Sequence, residues 1–282
     1  MVRNDTGVLR VATLNVWARN GDWPARREVL ARGFAELDAD LVALQETIVT
    51  DEVDQVRDIF GANYHVAHQR NGRADGLGIS IASRWPIGAV QELDLHVTER
   101  TTVQFPCAMI AAEIETPDPV GTVIFANHFP NPALDVEYER ELQAVISARA
   151  LEHLAFGKER QVIVAGDLDA DPASASVRFW TGRQSLGGTS VCYRDAWEST
   201  HPDVPGHTFT PERGIVKDQV FRGVKAFADW PFRRIDYIFV RFGSHCGAAL
   251  QIKSCSNIFD QPIDGISASD HFGVVADLAP PP

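Results

Sequence analysis

"VIVAGDLDADP", residues 162–172, runs four apolar residues straight into two aspartates one residue apart. The apolar half reads as a buried strand, since a short β-branched run bounded by glycine fits a covered, pleated surface. The acidic half is harder to place. On a strand, residues i and i+2 share a face, so Asp167 and Asp169 would repel each other unless a cation, a proton or a basic neighbour lay between them. The plainer reading is a turn over residues 166–172, with aspartates capping backbone N–H groups. The choice between a metal-dependent site and a turn rests on the remainder of the chain.

Similar apolar runs recur along it: Val8–Leu14, Leu41–Leu44, Leu77–Ala82, Met109–Ile114, Val123–Ala126, Ile235–Val240, Ala248–Ile252 and Val274–Leu278. Each is bounded by Gly, Pro, Asp or Asn and predicts a strand. Pro24 behind Asp22 suits a helix start, and Leu30, Phe34 and Leu37 make one apolar stripe. Leu142, Ile146, Ala150 and Leu154, helped by Val145, predict a second helix from about Leu134 to His153. Many strands interleaved with helices, and no linker or repeat, predict one α/β domain over residues 1–282 with its core over about 8–279. Two packed sheets flanked by helices would bury that many apolar strands.

No apolar run reaches the roughly 18–20 residues of a spanning helix. The N-terminus lacks an apolar signal core, so an intracellular, cytoplasmic protein is expected. Cys107, Cys192, Cys246 and Cys255 form no CxxC pair, which speaks against a zinc or redox motif and for free thiols. The net charge is −12. A protein that grips long DNA carries a basic footprint instead, because phosphate neutralisation supplies most of that affinity.

The strand ends carry the chemistry. Asn15 follows the first strand, Glu46 the second, Asn127 and His128 a later one, and Asp167 and Asp169 the one quoted above. Asp236 lies in "RRIDYIF", beside Arg234, and "SASDHF" holds Asp270 and His271 before the last strand. Ligand sites of α/β proteins gather at strand ends in this way.

In order and content these segments resemble the endonuclease/exonuclease/phosphatase superfamily of deoxyribonuclease I-like phosphoesterases. The likeness runs from "LRVATLNVW" through "VALQE", "GLGISIASRWPI", "ANHFP", "VIVAGDLDADP" and "RRIDYIFVR" to "SASDHFGVVADL". The resemblance implies a four-layer α/β sandwich of two mostly antiparallel sheets, with the site at one end. It implies Mg²⁺, with Mn²⁺ as a substitute and one or two ions, held by Glu46 with Asn15 and Asp270. His271, oriented by Asp270, would polarise the phosphate or handle a proton. Asp167 would orient or deprotonate the attacking water, Asp236 would support that network with Arg234 restraining it, and His128 would contact phosphate, as would Asn127. The family usually has Asn where this chain has Asp169, and an ionised carboxylate cannot donate a hydrogen bond to phosphate. Asp169 then binds a second metal, which is the favoured reading, or holds a proton, or faces a substrate hydroxyl.

Residues 211–235 hold Arg213, Lys217, Arg222, Lys225, Arg233 and Arg234 with Phe221, Phe227, Trp230 and Phe232. They read as a basic, aromatic rim for a compact anion, or as core packing. Arg70 and Arg73 would form the opposite rim, or a solvated turn. The expected function is metal-dependent hydrolysis of a small-molecule or lipid-derived phosphomonoester or diester by a monomeric enzyme. An endo- or exonuclease is the alternative, and a non-catalytic binding protein on the same fold is the third reading.

Overall fold

Alternation along the strands sorts side chains into three apolar layers, and that sorting builds the sandwich. The computed structural model describes residues 7–101, 105–157, 160–221, 224, 225, 227, 229–243 and 250–280. In chain order the elements are β1 (Leu9–Asn15), α1 (Trp23–Leu37), β2 (Leu41–Ile48), α2 (Gln55–Phe60), β3 (His65–His68), β4 (Leu77–Ser83), β5 (Ile87–Asp94), β6 (Ala108–Glu115) and β7 (Thr122–Phe129). Then follow α3 (Glu137–Ala155), β8 (Gln161–Asp167), α4 (Ala175–Trp180), β9 (Tyr193–Asp195), α5 (Ala196–Thr200), α6 (Gly214–Lys217), β10 (Val220–Phe221), β11 (Val224–Lys225), β12 (Asp236–Arg241), β13 (Gln251–Ile258) and β14 (Gly273–Ala279).

One sheet has the order β13-β14-β1-β2-β4-β3 and the other β5-β6-β7-β8-β12-β9. Among the described residues only β1–β2 and β7–β8 pair in parallel; the other neighbours are antiparallel. Leu9, Val11, Leu41, Ala43, Phe125, Ile163 and Ile238 meet between the sheets. Their strand neighbours Ala12, Leu14 and Val42 face α1 and α2, while Ile124, Val162 and Val164 face α3 and α4. The four layers expected from the sequence are present, and both sheets are mostly antiparallel.

Helix α1 starts as expected: the Asp22 carboxylate accepts from the Ala25 N–H at 3.2 Å, one of the donors a helix start leaves orphaned. Helix α3 departs from expectation. It begins at Glu137, and its buried face is Gln143, Ala144, Ser147, Ala148 and Leu151, whereas Ile146 is 40% exposed. Hydrogen bonding explains the rotation. Gln143 donates to the Leu95 carbonyl at 2.7 Å and Ser147 meets His128 Nδ1 at 3.2 Å, so two polar side chains are turned inward.

Gly166 has a packing reason: a Cβ there would lie 2.1 Å from the His128 carbonyl of the neighbouring strand. Strands β3, β5 and β9 lie toward the sheet margins and carry weaker patterns than the central runs, and none was expected. Of the expected Ala248–Ile252 strand, Ala248 and Ala249 lie outside the described residues; β13 extends instead to Ile258. Cys107 and Cys255 are buried free thiols and Cys192 an exposed one, while Cys246 lies outside the described residues. Among the described residues no helix is long and apolar enough to cross a membrane.

Candidate active site

Strand direction brings the polar ends together. Asn15 closes β1, Asp167 closes β8, and Asp236 opens β12 opposite Asp167 in antiparallel register. All three are almost fully buried. They lie at one end of the inter-sheet layer, where the apolar alternation of their strands gives way to polar residues. The Asn15 Nδ2 donates to Asp167 Oδ2 at 3.0 Å and to Glu46 Oε1 at 3.1 Å, so one amide joins carboxylates from both sheets. Its own oxygen accepts from the Trp17 N–H at 2.9 Å. That bond fixes which end of the amide is oxygen, so Asn15 places two carboxylates through its nitrogen while its oxygen keeps a second lone pair.

Glu46 reaches the site through a bulge. The β2–β4 register shifts between Leu44 and Thr47, and Glu46 takes a φ of 55°. A bulge re-aims one side chain out of the pleat. Burial, then repulsion from Asp270, push the Glu46 carboxyl up to about 7, against the pull of the Asn15 hydrogen bond.

His271 Nδ1 lies 3.1 Å from Asp236 Oδ2 and 3.8 Å from Asp167 Oδ2. The carboxylate that orients the imidazole is therefore Asp236, a correction to the expected Asp270. Asp270 instead meets Gln219 Nε2 at 3.4 Å and the Ser269 hydroxyl at 3.3 Å. Burial opposes charge on His271, but Asp236 and Asp167 outweigh it and hold its pKa well above the ordinary value. Asp236 is itself pushed up to about 6, by burial first.

Over the opening stretch the structure shows the turn, with an aspartate accepting a backbone N–H. The strand ends at Asp167, the chain turns, and the Asp169 N–H donates to Asp167 Oδ1 at 3.1 Å. Asp169 sits at φ 51°, a left-handed conformation that Asp and Asn tolerate. It is still buried, and burial followed by the charge of Asp167 raises its pKa well above the carboxylate norm. A raised folded-state pKa means that stability present at low pH is lost as pH rises. Neutral Asn at this position is therefore expected to raise the melting temperature of the metal-free protein at pH 7 and to lose that advantage at low pH. Activity is expected to persist with altered metal dependence. Thermal melts in chelator, with Mg²⁺ and Mn²⁺ dose–response curves, check Asp169→Asn. Unchanged curves would remove Asp169 from any second-metal role.

Other expected residues lie elsewhere or face inward. Asn127 Nδ2 donates to the Leu44 and Ser80 carbonyls and its oxygen accepts from Gln45, so it clips the two sheets together. His128 points the opposite way, edge-on to Trp180 at 5.7 Å, and burial lowers its pKa to about 3. Arg234 pairs with Asp195 at 2.6 Å and not with Asp236. Arg233 donates to the Asp169 carbonyl at 2.6 Å, and Arg213 is buried against Phe272. Arg233 and Arg234 are thus spent on interior partners, while Arg213, though largely buried, borders a pocket beside the site. Phe227 and Trp230 pack with Phe209, Val216 and Ile235, the core-packing reading. Arg222 and the side chains of Phe221 and Lys225 lie outside the described residues. Arg73 pairs with Asp75 at 2.8 Å, while Arg70 is exposed on the same hairpin.

Arg26 was missed. Its guanidinium donates to the carbonyls of Val16, Ala18, Asn20 and Ala268, and its charge offsets those of Asp270 and Glu46. An arginine inside an apolar helix stripe is the signal that could have found it.

The donor set suits a hard divalent ion. Asp167, Asp236 and His271 place ligand atoms within 4.8 Å of one another, and Asp236 Oδ1 is buried without a hydrogen-bond partner. A positive His271 has no lone pair for an ion, but Glu46 lies near enough to Asp270 for that charge to raise its pKa, and carboxylate oxygens of this kind match Mg²⁺ or Mn²⁺ better than a thiophilic metal. Beside the site, Arg213, Ser267, Thr210 and Phe272 line a pocket of about 430 Å³.

Residues 12–271 match the sequence model of the Endonuclease/Exonuclease/phosphatase family. The chain is 23% identical over 298 residues to an inositol phosphosphingolipids phospholipase C of Schizosaccharomyces pombe, covering 94% of this chain and 67% of that protein. In fold it is similar to D. rerio TDP2 complexed with single strand DNA product (TM-score 0.71, 19% identity, 96% of this chain and 98% of that one). It is also similar to the human Nocturnin catalytic domain with bound sulfate (TM-score 0.70, 17% identity, 97% and 95%).

Proposed function

The chain belongs to the Endonuclease/Exonuclease/phosphatase family, whose members hydrolyse phosphoester bonds, and we propose that it is a Mg²⁺-dependent phosphodiesterase acting on a lipid-derived phosphate. The observation that carries this reading is the buried cluster of Asp167, Asp236 and His271, tied to Glu46 through Asn15. Glu46 and Asp270 would hold the ion. When bound, the ion draws charge from the phosphate oxygens and eases in-line attack.

The side chains supply the rest. Asp167 takes the proton of the attacking water; Asn15 and the Asp169 N–H each hold one of its oxygens, so it is aimed before substrate arrives. His271, kept positive by Asp236, stabilises charge on a non-bridging phosphate oxygen. No covalent intermediate is required.

Two observations favour a lipid-derived phosphate over a polynucleotide. The net charge of −12 repels a polyanion, and Arg233 and Arg234 are committed to Asp169 and Asp195 instead of lining an exposed track. The similarity to a phosphosphingolipid phospholipase C points the same way.

The test is product release from phosphosphingolipid vesicles, bis(p-nitrophenyl) phosphate, p-nitrophenyl phosphate and short single-stranded DNA, in Mg²⁺, Mn²⁺ or chelator. The expected result is turnover of the lipid diester that chelation lowers at least about 100-fold. Cleavage of DNA with no lipid turnover would make this a nuclease. Turnover that survives chelation would remove the metal.

A further inference from the structure

Asp236 and His271 must meet to within a hydrogen bond, yet they belong to different sheets. Asp236 opens β12 in one sheet, His271 lies two residues before β14 in the other, and these strands are not hydrogen-bonded neighbours. Residues 208 and 209 cross the gap. The N–H groups of Thr208 and Phe209 donate to the Arg233 carbonyl at 2.8 and 3.0 Å, and the Arg233 N–H returns to the Phe209 carbonyl at 2.9 Å. On the other side the Phe272 N–H donates to the Thr208 carbonyl at 2.7 Å, and the Phe209 ring lies 5.2 Å from the His271 ring.

The Thr208 hydroxyl completes this stitch. It is fully buried and accepts from the N–H groups of both Ile235 and Asp236, at 3.1 and 3.2 Å. We propose that Thr208 is a positioning residue: its side chain sets the backbone of Asp236 while its carbonyl sets that of Phe272, so one residue holds Asp236 and His271 in register across the two sheets. This inference rests on the phosphoesterase reading of the same site.

The chemistry fits threonine closely. A hydroxyl oxygen has two lone pairs, one for each of the N–H groups of Ile235 and Asp236. β-Branching restricts χ1, so the oxygen is presented with little freedom to wander. Valine has nearly the same shape but leaves two buried N–H groups unpaired.

The test compares wild type, Thr208→Val and Thr208→Ser at a temperature where melts show each folded. Thr208→Val is expected to lower kcat about 10- to 100-fold with KM unchanged, because small misplacements of a catalytic pair are costly. Thr208→Ser, which keeps the oxygen, is expected to recover most of the loss. A bond that served folding alone would lower the melting temperature and leave kcat per folded molecule intact. Should Thr208→Val not fold, Thr208→Cys, a weaker acceptor, takes its place, with kcat expected between those of Ser and the unfolded extreme.

A second readout needs no turnover. In the metal-free protein the His271 Nδ1 proton should give a low-field, exchange-protected NMR signal, retained in Thr208→Ser and lost in the valine or cysteine variant. Equal kcat in all variants, or a serine variant as impaired as the valine one, would overturn the inference. If wild type turns over no phosphoester, the functional reading fails and the NMR comparison alone decides: a signal indifferent to the hydroxyl rejects the positioning role.

Discussion

Glu46→Gln is expected to lower kcat/KM by about 10³-fold, some 4 kcal/mol of transition-state stabilisation, while raising the melting temperature of the metal-free protein. The two effects share one cause. Glu46 sits where burial and Asp270 push its carboxyl up to about 7. Its ordinary value is 4.5, so between these limits the unfolded chain is ionised while the native carboxyl keeps its proton. Stability tied to that proton is complete at low pH and is lost as pH rises toward 7. Glutamine removes the charge and the loss with it. The advantage of the variant should therefore be absent near pH 4, grow with pH and level off above 7.

Saturating Mg²⁺ should reverse the order, because an ion that binds only the native wild type stabilises it by mass action. The measurements are activity with Mg²⁺ and melting curves from pH 4 to 8, each with ion and with chelator. Glutamine at wild-type activity would remove Glu46 from the ion site. A melting temperature indifferent to the substitution in chelator would mean that the carboxylates do not strain the empty pocket.

Much of this site can be read from strand ends. Asn15, Glu46, Asp167, Asp169, Asp236, Asp270 and His271 were all named from their places beside apolar runs, and the structure gathers them at one end of the sandwich. Strand parity and register were less legible. Asn127 and His128 are adjacent, so one must face the inter-sheet layer and the other α3, and nothing local says that Asn127 spends its amide on Leu44 and Ser80. Arg233 and Arg234 pose the same problem: one reaches the Asp169 turn and the other Asp195. The bulge that delivers Glu46 has no mark in "VALQE", since it arises where β2 changes register against β4. On α3, apolar periodicity misled because Gln143 and Ser147 have buried partners that belong to other elements.

Which aspartate serves His271 is the most consequential of these. Sequence adjacency favours Asp270, whereas geometry favours Asp236 at 3.1 Å. A double-mutant cycle separates them, since groups that act as a unit are far from additive. Asp236→Asn and His271→Ala are each expected to lower kcat by about 10³-fold, and the double variant by little more than either alone. Asn at 236 can still bond to the imidazole, but it cannot support its charge, so His271 loses the strongest of the carboxylates that hold it positive. Asp270→Asn should behave differently. Its loss should appear as a weaker requirement-curve for Mg²⁺, with a higher ion concentration at half-maximal rate, and its effect should multiply with that of His271→Ala. If Asp270 and His271 prove non-additive and Asp236 and His271 additive, the imidazole is served by its sequence neighbour in the working enzyme. Asp236 would then be left as a third carboxylate for the ion, a role its buried, unpartnered Oδ1 could fill.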